Sequence, residues 1–283
     1  MIYGANYVIA KGVMPGYIAP SGFILLRALG ATIVFWIIKT RIREKIKTKD
    51  LVRLAFCGLF GVALNQLFFF NGLNLTSPVN SSIIMTLNPI LVLVLSSVFI
   101  KERVTKTKVI GILLGMTGSV ILSYMSMGNI SGTSSLTGDL FVLINAVSYG
   151  IYLVLVKPLM SRYKPITVIS WVFLFGLLFI TPIGFQQLTE VDWLNMPFQI
   201  YMRLIYVVVG VTVFTYLLNI YALKTVTATV TSSYIYLQPV LAAVAVLIFS
   251  YYGLEDYSGE LTIWKGFSAI LIFVGVYLVS RRK

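Results

Sequence analysis

The chain has little of what soluble proteins and most enzymes depend on. It contains no histidine, a single cysteine at Cys57 and only 11% charged residues among 283, whereas an ordinary soluble domain carries about 25%. Neither a disulfide framework nor a histidine or cysteine metal site can form, so we expect no metal and no cofactor. The chain also supplies little for a membrane-embedded transferase, which needs a positioned acid, base or nucleophile.

Apolar residues dominate instead. They make up 58% of the sequence, and the mean hydropathy is +0.93. Runs of about 20 apolar residues are long enough to cross a bilayer as helices. The pattern predicts an all-α integral membrane protein with ten transmembrane helices, roughly at 1–17, 18–39, 52–75, 79–101, 106–124, 136–157, 165–185, 203–224, 229–252 and 262–280.

The basic residues indicate how the chain is oriented. The net charge is +13, but the basic residues fall in short loops between spans, so no nucleic-acid partner is expected. Eighteen of the 22 lysines and arginines accompany the connections after the even-numbered spans, whereas the opposite side holds Arg203, Lys265 and six of the nine acids. The positive-inside rule then places both termini in the cytoplasm of a multi-pass protein of the cell (inner or plasma) membrane.

The two halves of the sequence match each other in three blocks. The first pairs Tyr3, Gly4, Val8 and Lys11 with Tyr149, Gly150, Val154 and Lys157 at an offset of 146. The second pairs Ser82, Leu87, Asn88 and Pro89 with Ser232, Leu237, Gln238 and Pro239 at an offset of 150, and the third pairs Lys108 and Gly118 with Lys265 and Gly275 at an offset of 157. The blocks predict five-helix repeats at 1–125 and 136–283. Because five is odd, the second repeat is inverted in the membrane relative to the first.

The first helix of the first repeat is shorter than its counterpart. Three residues precede Gly4, whereas the matching helix begins near Leu136, fourteen residues before Gly150. Roughly ten residues, or about 15 Å of helix, are therefore missing from the first repeat. We expect a misassigned start codon or a truncated chain.

Short motifs follow one another in a fixed order along the two halves. They are Tyr3-Gly4 with Lys11, Leu26-Arg27, Asn88-Pro89 with Glu102, and Gly111, Gly115 and Gly118 in the first half, and Tyr149-Gly150, Gln238-Pro239, Glu255 and Gly275 in the second. This order resembles the EamA-type family of the drug/metabolite transporter superfamily over essentially the whole chain, with Tyr3 in place of the usual tryptophan. The resemblance implies ten helices around a substrate cavity, repeats that rock to alternate access, and export of small metabolites.

Arg27 is the most deeply placed charge in the predicted spans. It lies about nine residues into the second span, too deep for easy snorkelling. The guanidinium could clamp a substrate carboxylate through paired hydrogen bonds, or it could cap backbone carbonyls and fix helix packing. Lys11 and Lys157, at mirrored span ends, favour snorkelling or anchoring of loops over contact with a ligand.

Other polar groups inside the spans predict a lining for the cavity. Amides and tyrosines in a bilayer either bond across helices or face a solute, and paired interruptions such as Pro89 and Pro239 point to a binding region. Together with Arg27, the candidate residues are Tyr3, Asn6, Asn65, Gln66, Asn88, Pro89, Asn145, Tyr149, Tyr152, Tyr216, Asn219, Tyr236, Gln238 and Pro239.

The sequence favours a transporter that exports a small metabolite, such as an amino acid or a related solute, by alternating access. No carboxylate or imidazole lies at the predicted membrane centre, so we expect facilitated movement or exchange rather than proton coupling. An importer or exchanger of phosphorylated or sugar-linked metabolites would need several basic groups in the cavity, and only Arg27 is well inside. A membrane-embedded transferase and a membrane scaffold are the alternatives from other classes, and the oligomeric state stays open.

Overall fold

The computed structural model describes residues 9, 12–76, 81, 84–125, 135–237 and 263–281. The regular structure of these residues is helical throughout. In chain order the helices are α1 (Pro20–Lys39), α2 (Thr48–Leu75), α3 (Asn88–Phe99), α4 (Lys106–Met125), α5 (Leu136–Val156, continued by a 3-10 turn, Lys157–Ser161), α6 (Pro165–Thr189), α7 (Phe198–Thr225), α8 (Ala228–Ser233) and α9 (Ile263–Ser280). They correspond in order to the predicted spans two to ten.

Five helices of the described residues are long and apolar enough to cross a membrane: α1, α2, α5 with its 3-10 turn, α6 and α7. The helix α3 and the apolar part of α9 are shorter. The all-helical architecture is thus confirmed, and these helices indicate a multi-pass membrane protein. The count of ten spans stays a prediction, because most of the first predicted span lies outside the described residues.

The helices α2 and α7 share one internal design. Each is 28 residues long, and each contains π-helical turns near its middle, at Leu59–Leu64 and Tyr206–Phe214. Their final α-helical segments, Asn65–Leu75 and Thr215–Thr225, align residue for residue at an offset of 150. In both, the next residue is extended, with φ of −126° and −115°. The offset that matches the predicted fourth and ninth spans therefore also relates the third and eighth.

The helices α4 and α9 pack as an antiparallel pair. Gly111 approaches the carbonyl of Gly275, and Gly118 approaches the carbonyl of Ser268, so the numbering runs in opposite directions along the pair. A Cβ on either Gly111 or Gly118 would lie 2.7 Å from that oxygen, and only glycine permits this approach. Under the offset of 157, Gly111 corresponds to Ser268 and Gly118 to Gly275, so each contact corresponds to the other. This is expected for two repeats related by a two-fold axis.

The main apolar core lies between α1, α2, α5, α6 and α7. Antiparallel packing of α1 on α6 contributes to it, since Phe35 contacts Phe173 edge to face at 5.0 Å between ring centres. Near the other end of this pair, the Gln187 side chain accepts hydrogen bonds from the backbone N–H groups of Ser21 and Gly22, at 2.8 and 3.0 Å. These bonds satisfy donors that a helix N-terminus leaves without partners in its own helix.

The chain is interrupted just before the Asn-Pro motif. The sequence predicts a fourth span at 79–101 that is interrupted at Pro89. In the structure α3 begins at Asn88, after a turn at Thr86 and Leu87, and Pro89 lies in its first turn. Proline is favoured there because its missing N–H would have no partner within the helix. In the second half, α8 gives way to a 3-10 turn at Tyr234–Tyr236, the positions that match 84–86. Both halves therefore interrupt the helix at the same point.

One end of the bundle carries most of the exposed basic residues, and we call it the basic end. It is identified by Lys157, where α5 ends, whose Nζ donates to the carbonyls of Leu223 and Val226 at the end of α7. Exposed basic residues here are Arg41, Arg43, Lys45, Lys47, Lys49, Lys101, Arg103, Lys106, Arg162, Lys164 and Lys224. Among the described residues, the opposite end holds Asp139, Glu190, Asp192 and Arg203.

Candidate functional site

A polar network joins α2, α5 and α7. The Asn145 amide donates to the backbone carbonyl of Asn65 at 2.7 Å, and the Asn219 amide donates to the Tyr149 hydroxyl at 2.8 Å. The Ser148 hydroxyl donates to the carbonyl of Phe60, also at 2.7 Å. Both acceptor carbonyls on α2 lie in or beside its π-helical turns, where regular helical hydrogen bonding is interrupted. Four of the predicted residues, on three helices, thus meet in one network.

Tyrosine rings pack around the same point of α2. A Cβ on Gly61 would lie 2.4 Å from the Tyr152 ring, so the absence of a side chain makes room for it. The Tyr216 hydroxyl donates to the Gly61 carbonyl at 3.3 Å, and Tyr149 lies 6.1 Å from Tyr152 between ring centres. Tyr149, Tyr152 and Tyr216 therefore lie beside the amides, with Gly61 as the position that admits them.

Arg27 is buried and held by three helices. Its Nε donates to the Thr212 hydroxyl of α7 at 3.1 Å. Its guanidinium carbon lies 4.9 Å from the ring centre of Phe70 on α2 and 5.6 Å from that of Phe23 on α1. Stacking on aromatic faces and a charge-assisted hydrogen bond offset the cost of burying this cation. The contacts fit the packing alternative for Arg27, because they join α1, α2 and α7.

Two buried amides lack hydrogen bonds. The Gln66 side chain is 3% exposed and that of Asn88 is fully buried, yet within the described part of the chain neither amide nitrogen nor oxygen has a partner. The amide oxygens of Asn145 and Asn219 likewise accept no hydrogen bond there. A buried polar group without a partner costs about 1–3 kcal/mol. A polar solute or ordered water could supply the missing bonds.

Tyr236 connects the interruptions of the two halves. It is fully buried, and its hydroxyl donates to the carbonyl of Thr86 at 3.0 Å, in the turn that precedes Asn88 and Pro89. Its ring lies against Gly115, where a Cβ would approach to 2.5 Å. The 3-10 turn of one repeat is thereby bonded to the turn of the other.

A cluster of charged and hydroxyl groups lies at the basic end. We call it the Glu102 cluster; it consists of Glu102, Lys108, Lys157, Thr227 and Thr229. Glu102 Oε1 accepts a hydrogen bond from Lys108 Nζ at 2.8 Å, and the two side chains are 6% and 14% exposed. Burial acts to raise the pKa of Glu102, but the Lys108 ammonium and the neighbouring Thr229 and Thr227 hydroxyls outweigh it, so the pKa lies below its ordinary value of 4.5. The carboxylate is therefore ionised at neutral pH. The same carboxylate also attracts the Lys157 ammonium, so the cluster lies where the ends of α3, α5 and α7 meet the starts of α4 and α8.

The predicted site residues and the contacts of the structure differ in two ways. Tyr3, Asn6, Gln238 and Pro239 lie outside the described residues. Conversely, Gly61, Thr212 and Phe70 make central contacts, with Tyr152 and Arg27, that the sequence did not predict. Each lies in an apolar run without a recognisable pattern. The offset of 150 could have drawn attention to α2 and α7, but not to their π-helical turns.

The family model of the EamA-like transporter family matches residues 1–124 and 136–281 of the chain. Together with the helical bundle, this defines the protein as a multi-pass membrane transporter. The chain belongs to the EamA-like transporter family, within the drug/metabolite transporter superfamily. The two matched segments coincide with the two halves found in the sequence, with the boundary at the same loop.

Curated relatives include transporters of bacteria and archaea. An uncharacterized transporter of Archaeoglobus fulgidus is 34% identical over 154 residues, and this match spans about half of each chain, 54% of this one and 53% of the relative. The uncharacterized transporter YyaM of Bacillus subtilis is 26% identical over 98% of this chain and 89% of its own. A probable terminal-alkyne amino-acid exporter of Streptantibioticus cattleyicolor is 26% identical over 48% of this chain and 45% of its own.

A solved structure shares the fold. A protein crystal structure superposes with a TM-score of 0.75 at 17% identity, covering 99% of this chain and 92% of the other. At this identity the likeness concerns the fold alone.

Proposed function

We propose that the protein exports a small polar metabolite, an amino acid or a related solute, by alternating access between the two ends of the bundle. The observation that carries this proposal is the burial of the Gln66 and Asn88 amides without hydrogen-bond partners in the described chain. Because such groups are costly, a protein that only packed its helices together would gain by replacing them with apolar residues. Binding of a polar solute gives them a purpose.

The chemistry around these amides favours a neutral or zwitterionic solute. Gln66 follows Asn65, whose carbonyl receives Asn145, and Tyr149 and Asn219 complete the network. Amides and phenols offer both donors and acceptors, and aromatic faces attract ammonium groups. An α-amino acid carries both kinds of polar group beside an apolar part. The similarity to a probable terminal-alkyne amino-acid exporter supports the same class.

The Glu102 cluster supplies the closure that alternating access requires. Opening the basic end would separate α3 and α8 from α5 and α7, and the attraction between the Glu102 carboxylate and the Lys157 ammonium opposes this. Release of such contacts at one end while the other closes is the rocking motion of inverted repeats. We propose facilitated movement or exchange as the mode, with the solute gradient as the driving force.

The test is efflux from proteoliposomes that contain the purified protein. The vesicles are loaded with a mixture of the twenty L-amino acids and glucose 6-phosphate, and the medium is analysed by mass spectrometry against protein-free vesicles. We expect release of a subset of amino acids without a pH gradient and no release of the sugar phosphate. Release of glucose 6-phosphate alone would replace the proposal with the phosphorylated-substrate alternative. Amino-acid release only under a pH gradient would contradict the facilitated mode.

Arg27→Ala and Arg27→Lys separate packing from substrate binding at Arg27. Since Arg27 bonds to Thr212 and stacks on Phe70, we expect both variants to unfold at a lower temperature and to lose efflux of all transported solutes alike. Lysine keeps the charge but not the planar guanidinium. Loss of amino-acid efflux in both variants, with the wild-type unfolding temperature retained in Arg27→Lys, would instead support the carboxylate clamp.

A further inference from the structure

The loop between α1 and α2 forms a regular strip of positive charge. From Arg41 to Lys47, exposed and half-buried residues alternate, and the exposed ones are all basic: Arg41, Arg43, Lys45 and Lys47. The half-buried Ile42 and Ile46 pack against the main core. Alternation with a period of two is typical of an extended segment with one face inward. The strip is therefore fixed in place by its apolar face and presents its cations to the outside.

The acids near this loop are turned inward and are already bonded. The half-buried Glu44 carboxylate accepts the backbone N–H of Lys164 at 3.1 and 3.4 Å. Asp50 is 5% exposed, and its two oxygens accept hydrogen bonds from Arg162 Nη1 at 2.9 Å and from the Tyr163 hydroxyl at 2.8 Å. The exposed surface is thus left with cations while the nearby carboxylates hold the loops together.

These same bonds bring the loop between α5 and α6 to the strip. The Lys47 N–H donates to the Tyr163 hydroxyl at 3.1 Å, and Arg162 and Lys164 are both exposed. We call the combined surface the basic strip; it consists of the seven exposed side chains Arg41, Arg43, Lys45, Lys47, Lys49, Arg162 and Lys164. It draws on both halves of the chain, so one bound anion could bridge the two repeats.

The position of the basic strip relative to a bilayer follows from tryptophans. Trp36 of α1 contacts Trp171 of α6 at 5.4 Å between ring centres, and the Lys39 ammonium lies 4.6 Å from the Trp36 ring centre. Tryptophan is enriched at the membrane–water interface. The basic strip begins two residues beyond Lys39, at the depth where lipid headgroups lie.

We propose that the basic strip binds anionic phospholipid headgroups and that such lipids bridge the two repeats at the basic end. Polybasic segments next to a transmembrane helix attract anionic lipids, each Lys or Arg adding to the affinity. A row of seven cations with no exposed acid between the four of the loop offers several phosphate contacts at once. The inference goes beyond transport, because it concerns lipid recognition and does not depend on the solute.

The experiment measures the unfolding temperature of the protein in neutral detergent with added dioctanoyl phosphatidylglycerol, dioctanoyl phosphatidylcholine or inorganic phosphate. The strip variant is Arg43→Gln with Lys45→Gln and Lys47→Gln. The control variant is Arg103→Gln with Lys106→Gln and Lys224→Gln, which removes the same charge from exposed positions elsewhere at the basic end. We expect phosphatidylglycerol to raise the unfolding temperature of the wild type and the control variant. In the strip variant, about 100-fold more of this lipid should be needed at low salt.

The other outcomes overturn the proposal. Equal responses of the strip and control variants would show that the strip does not select the lipid. An equal rise in unfolding temperature with inorganic phosphate would show that the surface binds a free anion. An equal rise with phosphatidylcholine would show that binding does not depend on the headgroup charge. If the strip variant cannot be purified, native mass spectrometry of the wild type from mixed-lipid nanodiscs decides. Preferential retention of phosphatidylglycerol that 0.5 M salt removes supports the proposal, and equal retention of both lipids contradicts it.

Discussion

The helices α2 and α7 have similar backbones but different chemistry. Both are 28 residues long with π-helical turns in the middle, yet Gly61 and Val62 of α2 correspond to Val211 and Thr212 of α7. Gln66, which lacks hydrogen bonds in the described chain, corresponds to Tyr216, which bonds to Gly61. The two helices thus provide similar scaffolds, in which α7 supplies bonding groups and α2 supplies space and an unsatisfied amide.

The largest effect is expected where α2 lacks a side chain. Gly61→Ala places a Cβ 2.4 Å from the Tyr152 ring, and so short a contact should exceed the usual overpacking cost of about 1–3 kcal/mol. We expect a lower unfolding temperature in detergent. The matched control is Gly210→Ala in the π-helical segment of α7, whose Cβ would find its nearest atoms at 3.5 Å. Equal destabilisation by both changes would show that α2 has no special need for space.

The next effect is expected from Thr212, for which α2 has valine. Thr212→Val removes the hydrogen bond from the Arg27 Nε, and bonds to charged groups contribute about 1.5–3 kcal/mol. We expect the unfolding temperature to fall, although the new side chain is the one found at Val62. The reverse change, Val62→Thr, should have a smaller effect because Arg27 already has its partner. An unchanged unfolding temperature in Thr212→Val would contradict the bonding role assigned to α7.

The ends of the two helices provide a third contrast. At the end of α7, Lys157 donates to the carbonyls of Leu223 and Val226, where a cation also favours the helix dipole. At the end of α2, the Thr76 hydroxyl donates to Asp139 at 2.5 Å instead. Lys157→Met should therefore lower the unfolding temperature by an amount equivalent to about 1–2 kcal/mol, and Asp139→Asn by less. The opposite order would mean that the α7 end needs no cation.

The smallest effect at neutral pH is expected for Glu102, near the end of α7. Its contribution is seen as a loss of stability in acid. The pKa of Glu102 lies below 4.5, so its contribution to stability is complete above pH 4.5 and is lost as the pH falls through the lowered pKa. Wild-type protein should thus lose stability as the pH falls below about 4.5. Glu102→Gln should show a weaker dependence on pH in this range. Identical pH profiles for both proteins would show that an ionised Glu102 carboxylate does not stabilise the Glu102 cluster.

The sequence predicted the elements whose signals are strong and local. Long apolar runs predicted the helices, with boundaries such as Pro20–Lys39 close to those predicted. For amides in apolar runs the sequence left open whether they bond across helices or face a solute, and Asn145 and Asn219 bond across helices. The anchoring interpretation of Lys157 is also confirmed. The π-helical turns and the bond from Arg27 to Thr212 could not be predicted, because they depend on how helices distant in sequence pack together. An interruption at Pro89 was predicted, but the turn at Thr86 and Leu87 before Asn88 was not.

The most direct test of the central claim is Gln66→Met, studied for transport and stability on the same preparation. The claim is that the Gln66 amide is kept for the solute at a cost to the fold, about 1–3 kcal/mol for a buried group without partners. We predict that amino-acid efflux from proteoliposomes falls at least tenfold, while the unfolding temperature stays the same or rises. Efflux at the wild-type rate would contradict the claim, and so would a loss of efflux that merely accompanies a lower unfolding temperature.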